Sequence, residues 1–220
     1  MSNIDQSIDE PLALFGGTFD PVHYGHLRCA DEARQKLGLK KLYLLPAGTP
    51  PHRGTPKATT KQRLEMLHLA QPEFPQLVID DRETLRSGPS YMVDTLQELR
   101  TEYPQRPLLL LIGQDAANHL HSWFHWEQLF ELAHIVILTR PGAKAEYRSD
   151  LARKIQRRLS TDVQSLSHSD AGGVLYLEVT TIDVSATSIK SIIRLGRSPQ
   201  SMLPGVVLDY INEKQLYLPA

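Results

Sequence analysis

Apolar runs and amphipathic stretches alternate along the whole chain, and this alternation limits the folds that the chain can adopt. Between the apolar runs lie segments with helical spacing, the first of which carries Leu27, Ala30, Ala33 and Leu37. Strands that alternate with helices form parallel sheets. We therefore expect an α/β fold, a doubly wound parallel sheet with helices on both faces. The predicted strands are residues 12–15, 41–46, 77–79, 108–112, 134–138 and 174–179.

The domain organisation follows from the absence of any internal repeat, linker or break in composition. The 220 residues fit one α/β domain, so we expect a single domain over residues 1–220. Residues 1–11 are polar and acidic and are interpreted as an N-terminal tail. Residues 184–220 contain two more helical patterns and are interpreted as a helical C-terminal part.

The composition of the chain limits the partners and the compartment that we expect. The net charge of −1 gives no electrostatic reason to expect nucleic acid or an anionic membrane as a partner. The single cysteine, Cys29, excludes an internal disulfide and agrees with a reducing compartment. No signal-peptide pattern and no apolar run long enough for a bilayer are visible, so we expect a cytoplasmic protein. Association into a homo-oligomer is left open by the sequence.

The first predicted strand continues into a glycine turn and then into the first predicted helix. Gly16 and Gly17 let the main chain approach a ligand closely, and the N-terminus of the following helix favours phosphate. His23 and His26 share one face of the first helical turn. Gly25 lies between them and is expected to leave bare backbone for the ligand. The glycine spacing matches neither the dinucleotide fingerprint nor the P-loop.

Polar segments follow other predicted strands, at the edge of the sheet where open α/β proteins bind ligands. Residues 50–53 read Pro-Pro-His-Arg, and residues 80–89 form a second polar loop. Ser90 is expected to cap a helix over residues 91–102. Asp115 follows the most apolar strand. These segments predict a ligand site at the carboxyl edge of the sheet.

The pattern Gly16-Gly-Thr-Phe-Asp-Pro-x-His-x-Gly-His26 resembles the phosphate-binding signature of the His-x-Gly-His nucleotidyltransferases, which have a Rossmann-like fold. Further motifs make the chain similar, from residue 12 to residue 217, to bacterial nicotinate-nucleotide adenylyltransferases. They occur in sequence order at residues 50–53, 90–96, 112–115, 140–142 and 184–190. The chain departs from that family at Lys190, where an Arg is usual. Lys keeps the charge without the bidentate fork, and Arg194, one turn later, is the alternative phosphate ligand.

The resemblance implies transfer of AMP from ATP to nicotinate mononucleotide, with Mg²⁺, giving deamido-NAD and pyrophosphate. It implies that His23, His26 and Lys190 are catalytic and that no protein residue binds a metal directly. The ATP-binding residues that it implies are Gly16, Gly17, Thr18, Phe19, His23, His26, Asp115, Ser185, Thr187 and Lys190. The acceptor-binding residues that it implies are Thr84, Trp123, His52 and Arg53, with Trp123 stacked on the pyridine ring and main-chain N–H groups near Thr84 holding its carboxylate.

Three alternatives remain at this point. An adenylyltransferase that uses nicotinamide mononucleotide or another phosphate acceptor would share the same motifs. A regulatory module that senses ATP without chemistry would be marked by loss of the histidine pair or of the motif at residues 184–190, and both are present. A structural RNA-binding protein would need a basic face, which the composition does not provide. A zinc site at His119, His121 and His125 is disfavoured, because their spacing scatters them over different helix faces.

Overall fold

The chain folds around one parallel sheet, as the alternation of elements predicts. The computed structural model describes residues 10–51, 54–140, 142–180 and 182–219. Its strands run in the order β3-β2-β1-β4-β5-β6, and every neighbouring pair is parallel. The strands are β1 (Leu12–Gly17), β2 (Leu42–Pro46), β3 (Leu77–Ile79), β4 (Leu108–Gly113), β5 (His134–Thr139) and β6 (Val174–Glu178). The fold class predicted from the sequence is confirmed.

Helices cover both faces of this sheet. They are α1 (Tyr24–Lys36), α2 (Thr60–Ala70), α3 (Arg82–Leu85), α4 (Met92–Glu102), α5 (Gln114–Asn118), α6 (Trp126–Leu132), α7 (Ser149–Gln156), α8 (Ala186–Arg194) and α9 (Gly205–Glu213). Alternate residues of β1 belong to opposite layers of the core. Ala13 lies in the cluster that includes Leu67 of α2, whereas Leu12 and Leu14 lie in the cluster that includes Leu96 of α4. The strands therefore have two buried faces, which explains their continuous apolar runs.

The strand order reverses at β1, which lies between β2 and β4. The carboxyl ends of β1 and β4 meet at this reversal, the usual position of a ligand crevice in an open α/β sheet. The glycine turn follows β1, and Asp115 lies in the first turn of α5 directly after β4. The topology therefore brings two predicted parts of the site to one edge.

Several local predictions were wrong. The predicted polar loop at residues 80–89 contains the short helix α3. Ser90 does not cap α4; its hydroxyl accepts hydrogen bonds from the N–H groups of Gly48 and Thr49, at 2.9 and 3.2 Å. Leu69 of α2 is apolar but 39% exposed.

The buried face of α2 carries Arg63 instead, which is 1% exposed. Its guanidinium donates to the carbonyl oxygens of Thr18, Ala47 and Gly48, at 2.7 to 2.8 Å. These carbonyls belong to the segments that follow β1 and β2. Buried carbonyl groups need partners, and a charged donor makes a strong one. Arg63 therefore holds the glycine turn against the loop after β2.

None of the helices in the described residues has both the length and the apolar character that a bilayer crossing requires.

Replacing Arg63 with Met should lower the free energy of unfolding by about 2–4 kcal/mol, because three buried carbonyls lose their donor. Urea denaturation followed by circular dichroism measures this change. Lys61→Met, at an exposed position of the same helix, is the matched control and should change stability by less than about 0.5 kcal/mol. Equal stability of the two variants would contradict the role given to Arg63.

Candidate active site

The turn after β1 is shaped by a buried aromatic ring. Phe19 is 1% exposed and has a φ of 51°, in the left-handed region that a bulky residue rarely adopts. A Cβ on Gly17 would lie 2.9 Å from the Phe19 ring, so that position requires glycine. The edge of the ring meets the His26 ring at a centroid distance of 5.0 Å. Phe19 therefore packs against the turn, and a ligand contact of Gly16, Gly17 or the buried Phe19 would have to come through the main chain. Thr18 is half-buried, and its contact with a ligand remains a prediction.

The two histidines of the motif stack on one another at the N-terminus of α1. Their ring centroids are 3.7 Å apart and the planes differ by 23°. His23 is 5% exposed, and its Nδ1 has no hydrogen-bond partner among the described residues. Burial lowers the pKa of His23 from 6.5 to about 4. At neutral pH the His23 ring is therefore uncharged, and an anion placed beside it would favour its protonation.

Gly25 is required by the position of the His23 ring. A Cβ on Gly25 would lie 2.9 Å from Nδ1 of His23 and 3.0 Å from the carbonyl oxygen of Val184. The space above Gly25 is therefore filled by the imidazole, and the expectation that it is open to a ligand was wrong. Since Val184 immediately precedes the N-cap of α8, the same contact places the N-termini of α1 and α8 next to each other.

The start of α8 is closed by a capping box. The Ser185 hydroxyl accepts from the N–H of Ser188 at 3.0 Å, and the Ser188 hydroxyl accepts from the N–H of Ser185 at 3.1 Å. Thr187 is exposed in the first turn. Two helix N-termini that face one crevice give a positive potential suited to phosphate. Phosphate contacts of Ser185 and Thr187 remain a prediction.

Lys190 reaches back from α8 to the turn after β1. Its Nζ lies 3.1 Å from Oδ2 of Asp20, a residue 170 positions earlier in the chain. Burial raises the pKa of Asp20, but hydrogen bonds from Lys57, Tyr217, Ala58 and Lys190 outweigh it and leave that pKa below its usual value. Asp20 is therefore ionised and pairs with Lys190 beside the stacked histidines.

Arg194, the alternative ligand, is exposed. Within the described ranges its side chain makes no ion pair or hydrogen bond with another residue. Lys190 already lies at the turn, so the geometry favours Lys190 over Arg194 for the predicted phosphate contact, which remains a prediction.

The other predicted residues lie around the same edge. Asp115 is exposed at the start of α5, and Trp123 follows a 3₁₀ turn and is half-buried. Next to Trp123, Phe124 stacks on Tyr91 at 4.4 Å. The N–H and the hydroxyl of Thr84 both donate to the carbonyl of Asp81, at 2.8 and 2.7 Å. The N–H of Thr84 itself is thus engaged within the turn. His52 and Arg53 lie outside the described residues.

Two residues at this edge were missed by sequence analysis. Arg63 could have been suspected, because a cation occupied a position on the apolar face of α2 with Met66 and Leu67. Tyr217, whose hydroxyl donates to Oδ1 of Asp20 at 2.8 Å, carries no sequence signal, since it lies 197 positions away from its partner.

A parallel sheet whose first strand leads through a glycine turn to paired histidines at a helix N-terminus is the architecture of a nucleotidyltransferase. The profile of the cytidylyltransferase-like family matches residues 14–192. The chain therefore belongs to the cytidylyltransferase-like family.

Curated relatives narrow the family to which the chain belongs. A protein of Methylococcus capsulatus named "Probable nicotinate-nucleotide adenylyltransferase" is 45% identical over 94% of this chain and 99% of the relative. A protein of Acidithiobacillus ferrooxidans with the same name is 42% identical over 96% of this chain and 97% of the relative. The chain is thus a member of the nicotinate-nucleotide adenylyltransferases, as its motifs predicted.

A solved structure agrees with the fold. The nicotinic acid mononucleotide adenylyltransferase of Plasmodium falciparum complexed with NaAD superimposes with a TM-score of 0.74 at 14% identity. The match covers 94% of this chain and 97% of that chain.

The depressed pKa of His23 predicts a pH-dependent stability. The folded-state pKa of about 4 lies below the ordinary histidine pKa of 6.5, so the unfolded chain binds this proton more readily. Stability therefore falls as the pH drops through that window. The loss between about pH 7.5 and about pH 5 should be roughly 2 kcal/mol.

His23→Gln should remove that part of the pH dependence, measured by urea denaturation at both pH values. His68→Gln, at an exposed position, is the control and should keep it. An unchanged difference in His23→Gln would show that His23 is not buried in its neutral form.

Proposed function

We propose that this protein transfers the AMP group of ATP to the phosphate of nicotinate mononucleotide and releases pyrophosphate. The product is deamido-NAD, a step in NAD biosynthesis. Relatives named for this activity match nearly the whole chain. The observation that carries the proposal is the convergence of the stacked His23–His26 pair, the N-terminus of α8 and Lys190 at the carboxyl end of β1.

The chemistry needs positioning more than activation. The attacking group is a phosphate, already an anion at neutral pH, so neither a nucleophilic side chain nor a strong base is required. Catalysis then depends on alignment of two phosphates and on stabilisation of charge at the α-phosphorus. Imidazoles, main-chain N–H groups and one lysine are suited to that task.

The proposed roles follow from position. His26 and His23 would contact the ATP phosphates from α1, while Ser185, Thr187 and the free N–H groups of α8 would contact them from the opposite helix. Nζ of Lys190 would move away from Asp20 toward the phosphates and neutralise part of their negative charge. Because His23 loses its charge on burial, binding of a polyphosphate beside it would be accompanied by proton uptake.

Asp115 and Trp123 complete the proposed site. The exposed carboxylate of Asp115 is suited to the diol of a ribose, and it follows β4 at the strand reversal. The half-buried Trp123 offers a face to the pyridine ring. Main-chain N–H groups of the turn that contains Thr84, other than that of Thr84 itself, would hold the pyridine carboxylate.

Magnesium is proposed as part of the substrate. Among the described residues, no three His, Cys, Asp or Glu side chains are grouped so that they could hold a metal ion, and Asp20 already accepts four hydrogen bonds. This donor set does not form a cage. Mg²⁺, which is commonly held by phosphate oxygens and water, would enter with ATP. We also propose the cytoplasm as the compartment, in agreement with the use of ATP.

The remaining candidate function is transfer of AMP to nicotinamide mononucleotide. This acceptor differs from nicotinate mononucleotide only in the exocyclic group of the pyridine ring. Pyrophosphate release from ATP, measured separately with the two mononucleotides, distinguishes them. We expect a much higher kcat/KM with nicotinate mononucleotide. Preference for nicotinamide mononucleotide would overturn the acceptor, and no release with either would overturn the proposed function.

His26→Ala should lower kcat by roughly 10²–10³-fold with a much smaller change in the KM for ATP. A preorganised donor directed at the charge that develops on the phosphates stabilises the transition state more than bound ATP. Steady-state kinetics gives both constants, and a thermal melt confirms folding. A folded variant with near-normal kcat would show that His26 serves packing against Phe19.

Trp123→Ala should raise the KM for nicotinate mononucleotide about tenfold and leave the KM for ATP within about twofold, because stacking is worth on the order of 1 kcal/mol beyond the buried area. Phe130→Leu, in the core behind the same region, is the control for a general packing effect. Equal changes of both KM values in Trp123→Ala would place Trp123 in the core and not in the site.

A further inference from the structure

Asp20 joins four separate parts of the chain. Oδ1 accepts from the N–H of Ala58 at 3.1 Å and from the Tyr217 hydroxyl at 2.8 Å. Oδ2 accepts from the N–H of Lys57 at 3.0 Å and from Nζ of Lys190 at 3.1 Å. The carboxylate is 5% exposed, so these four donors replace the water that it would otherwise bind. Three of them hold Asp20, and the fourth is the proposed phosphate ligand.

Tyr217 reaches this carboxylate from the far end of the chain. It follows α9 with a φ of 65° and is 7% exposed, so the segment after α9 turns inward to bury the ring. Nζ of Lys190 lies 5.8 Å from the centre of the same ring. Burial and the negative charge of Asp20 raise the pKa of Tyr217, so its hydroxyl keeps its proton and remains a donor. Lys190 thus lies against both the carboxylate and the aromatic face.

We propose that Tyr217 is a positioning residue for the ATP site, which acts through Asp20 on the availability of Lys190. This inference rests on the proposed function, because Lys190 matters only if it binds phosphate. The Tyr217 hydroxyl takes up part of the negative charge of Asp20. The ion pair with Lys190 is therefore weaker than it would be with an unshared carboxylate, and Lys190 can turn toward ATP.

Loss of the Tyr217 hydroxyl should change the affinity for ATP in one direction. Without Tyr217 as donor, more charge on Asp20 faces Lys190, and the pair competes more strongly with the phosphates of ATP. Affinity for ATP should fall, whereas the fold should persist, because the ring still packs and the two main-chain donors remain. A residue that only anchors the C-terminal segment would lower stability without an effect that depends on Lys190.

The test is a double-mutant cycle with Tyr217→Phe, Lys190→Met and the double variant, in the full-length protein. The dissociation constant of a non-hydrolysable ATP analogue, measured by calorimetry, and kcat/KM for ATP are both recorded. We expect Tyr217→Phe to raise the dissociation constant and to lower kcat/KM for ATP, each by about three- to tenfold, which is the effect of losing one hydrogen bond. In the Lys190→Met background the same change should cost less than about twofold, since coupled residues are not additive.

Tyr210→Phe is the matched control. The Tyr210 hydroxyl donates to Glu65 and so also joins α9 to α2, without contacting Asp20. This variant should keep wild-type affinity for the analogue within about twofold. A loss equal to that of Tyr217→Phe would assign both tyrosines to anchoring and overturn the inference.

Two further results would overturn it: wild-type affinity in Tyr217→Phe, or the same loss with and without Lys190. Failure of the proposed function gives a different result. Wild-type protein that binds the analogue but releases no pyrophosphate would contradict adenylyl transfer. The dissociation constants of the double-mutant cycle would still decide the role of Tyr217. Wild-type protein that does not bind the analogue would overturn both.

Discussion

The rest of the site depends on the hydrogen bonds that the buried carboxylate of Asp20 accepts. Burial opposes its charge, and only the donors from residues 57 and 58, from Lys190 and from Tyr217 make the ionised form stable there. The four donors come from three distant parts of the chain. The carboxylate can therefore be satisfied only when the turn after β1, the segment before α2, α8 and the C-terminal segment are all in place. Arg63 reinforces this by binding main-chain carbonyls of the turn after β1 and of the loop after β2. The site is thus assembled by long-range polar contacts on a rigid apolar sheet.

Preorganisation of this kind suits a reaction that needs no activated nucleophile. The His23 ring is fixed between Gly25 and His26, with the carbonyl of Val184 against the same glycine, and the two helix N-termini are adjacent. Donors that are already in position need little reorganisation as charge develops on the phosphates. Lys190 is the exception, because it is paired with Asp20. Its release is the one rearrangement that the geometry requires for the proposed role.

The sequence predicted the sheet, its strands and the opening motif, because apolar periodicity and the glycine turn are local signals. It could not predict which residues occupy the space around that motif. The space above Gly25 was expected to be open, but the His23 ring fills it; Ser90 was expected to cap α4, but it binds residues 48 and 49. Tyr217 and Arg63 act through partners 197 and 45 positions away. Such contacts follow from the packed fold. The position of Arg63 on the apolar face of α2 gave a signal in the spacing, whereas Tyr217 gave none. The motif identified the family, whereas the roles of single residues depend on tertiary contacts.

The most direct measurement of the central claim is a crystal structure of the protein with a non-hydrolysable ATP analogue. The account predicts that the triphosphate lies in the crevice between the N-termini of α1 and α8. Its oxygens should be about 3 Å from the His26 ring and from N–H groups of α8, and Nζ of Lys190 should be displaced from Asp20 toward them. A triphosphate bound elsewhere, such as against the exposed Arg153 and Arg157 on the basic side of α7, with Lys190 still paired to Asp20, would contradict it.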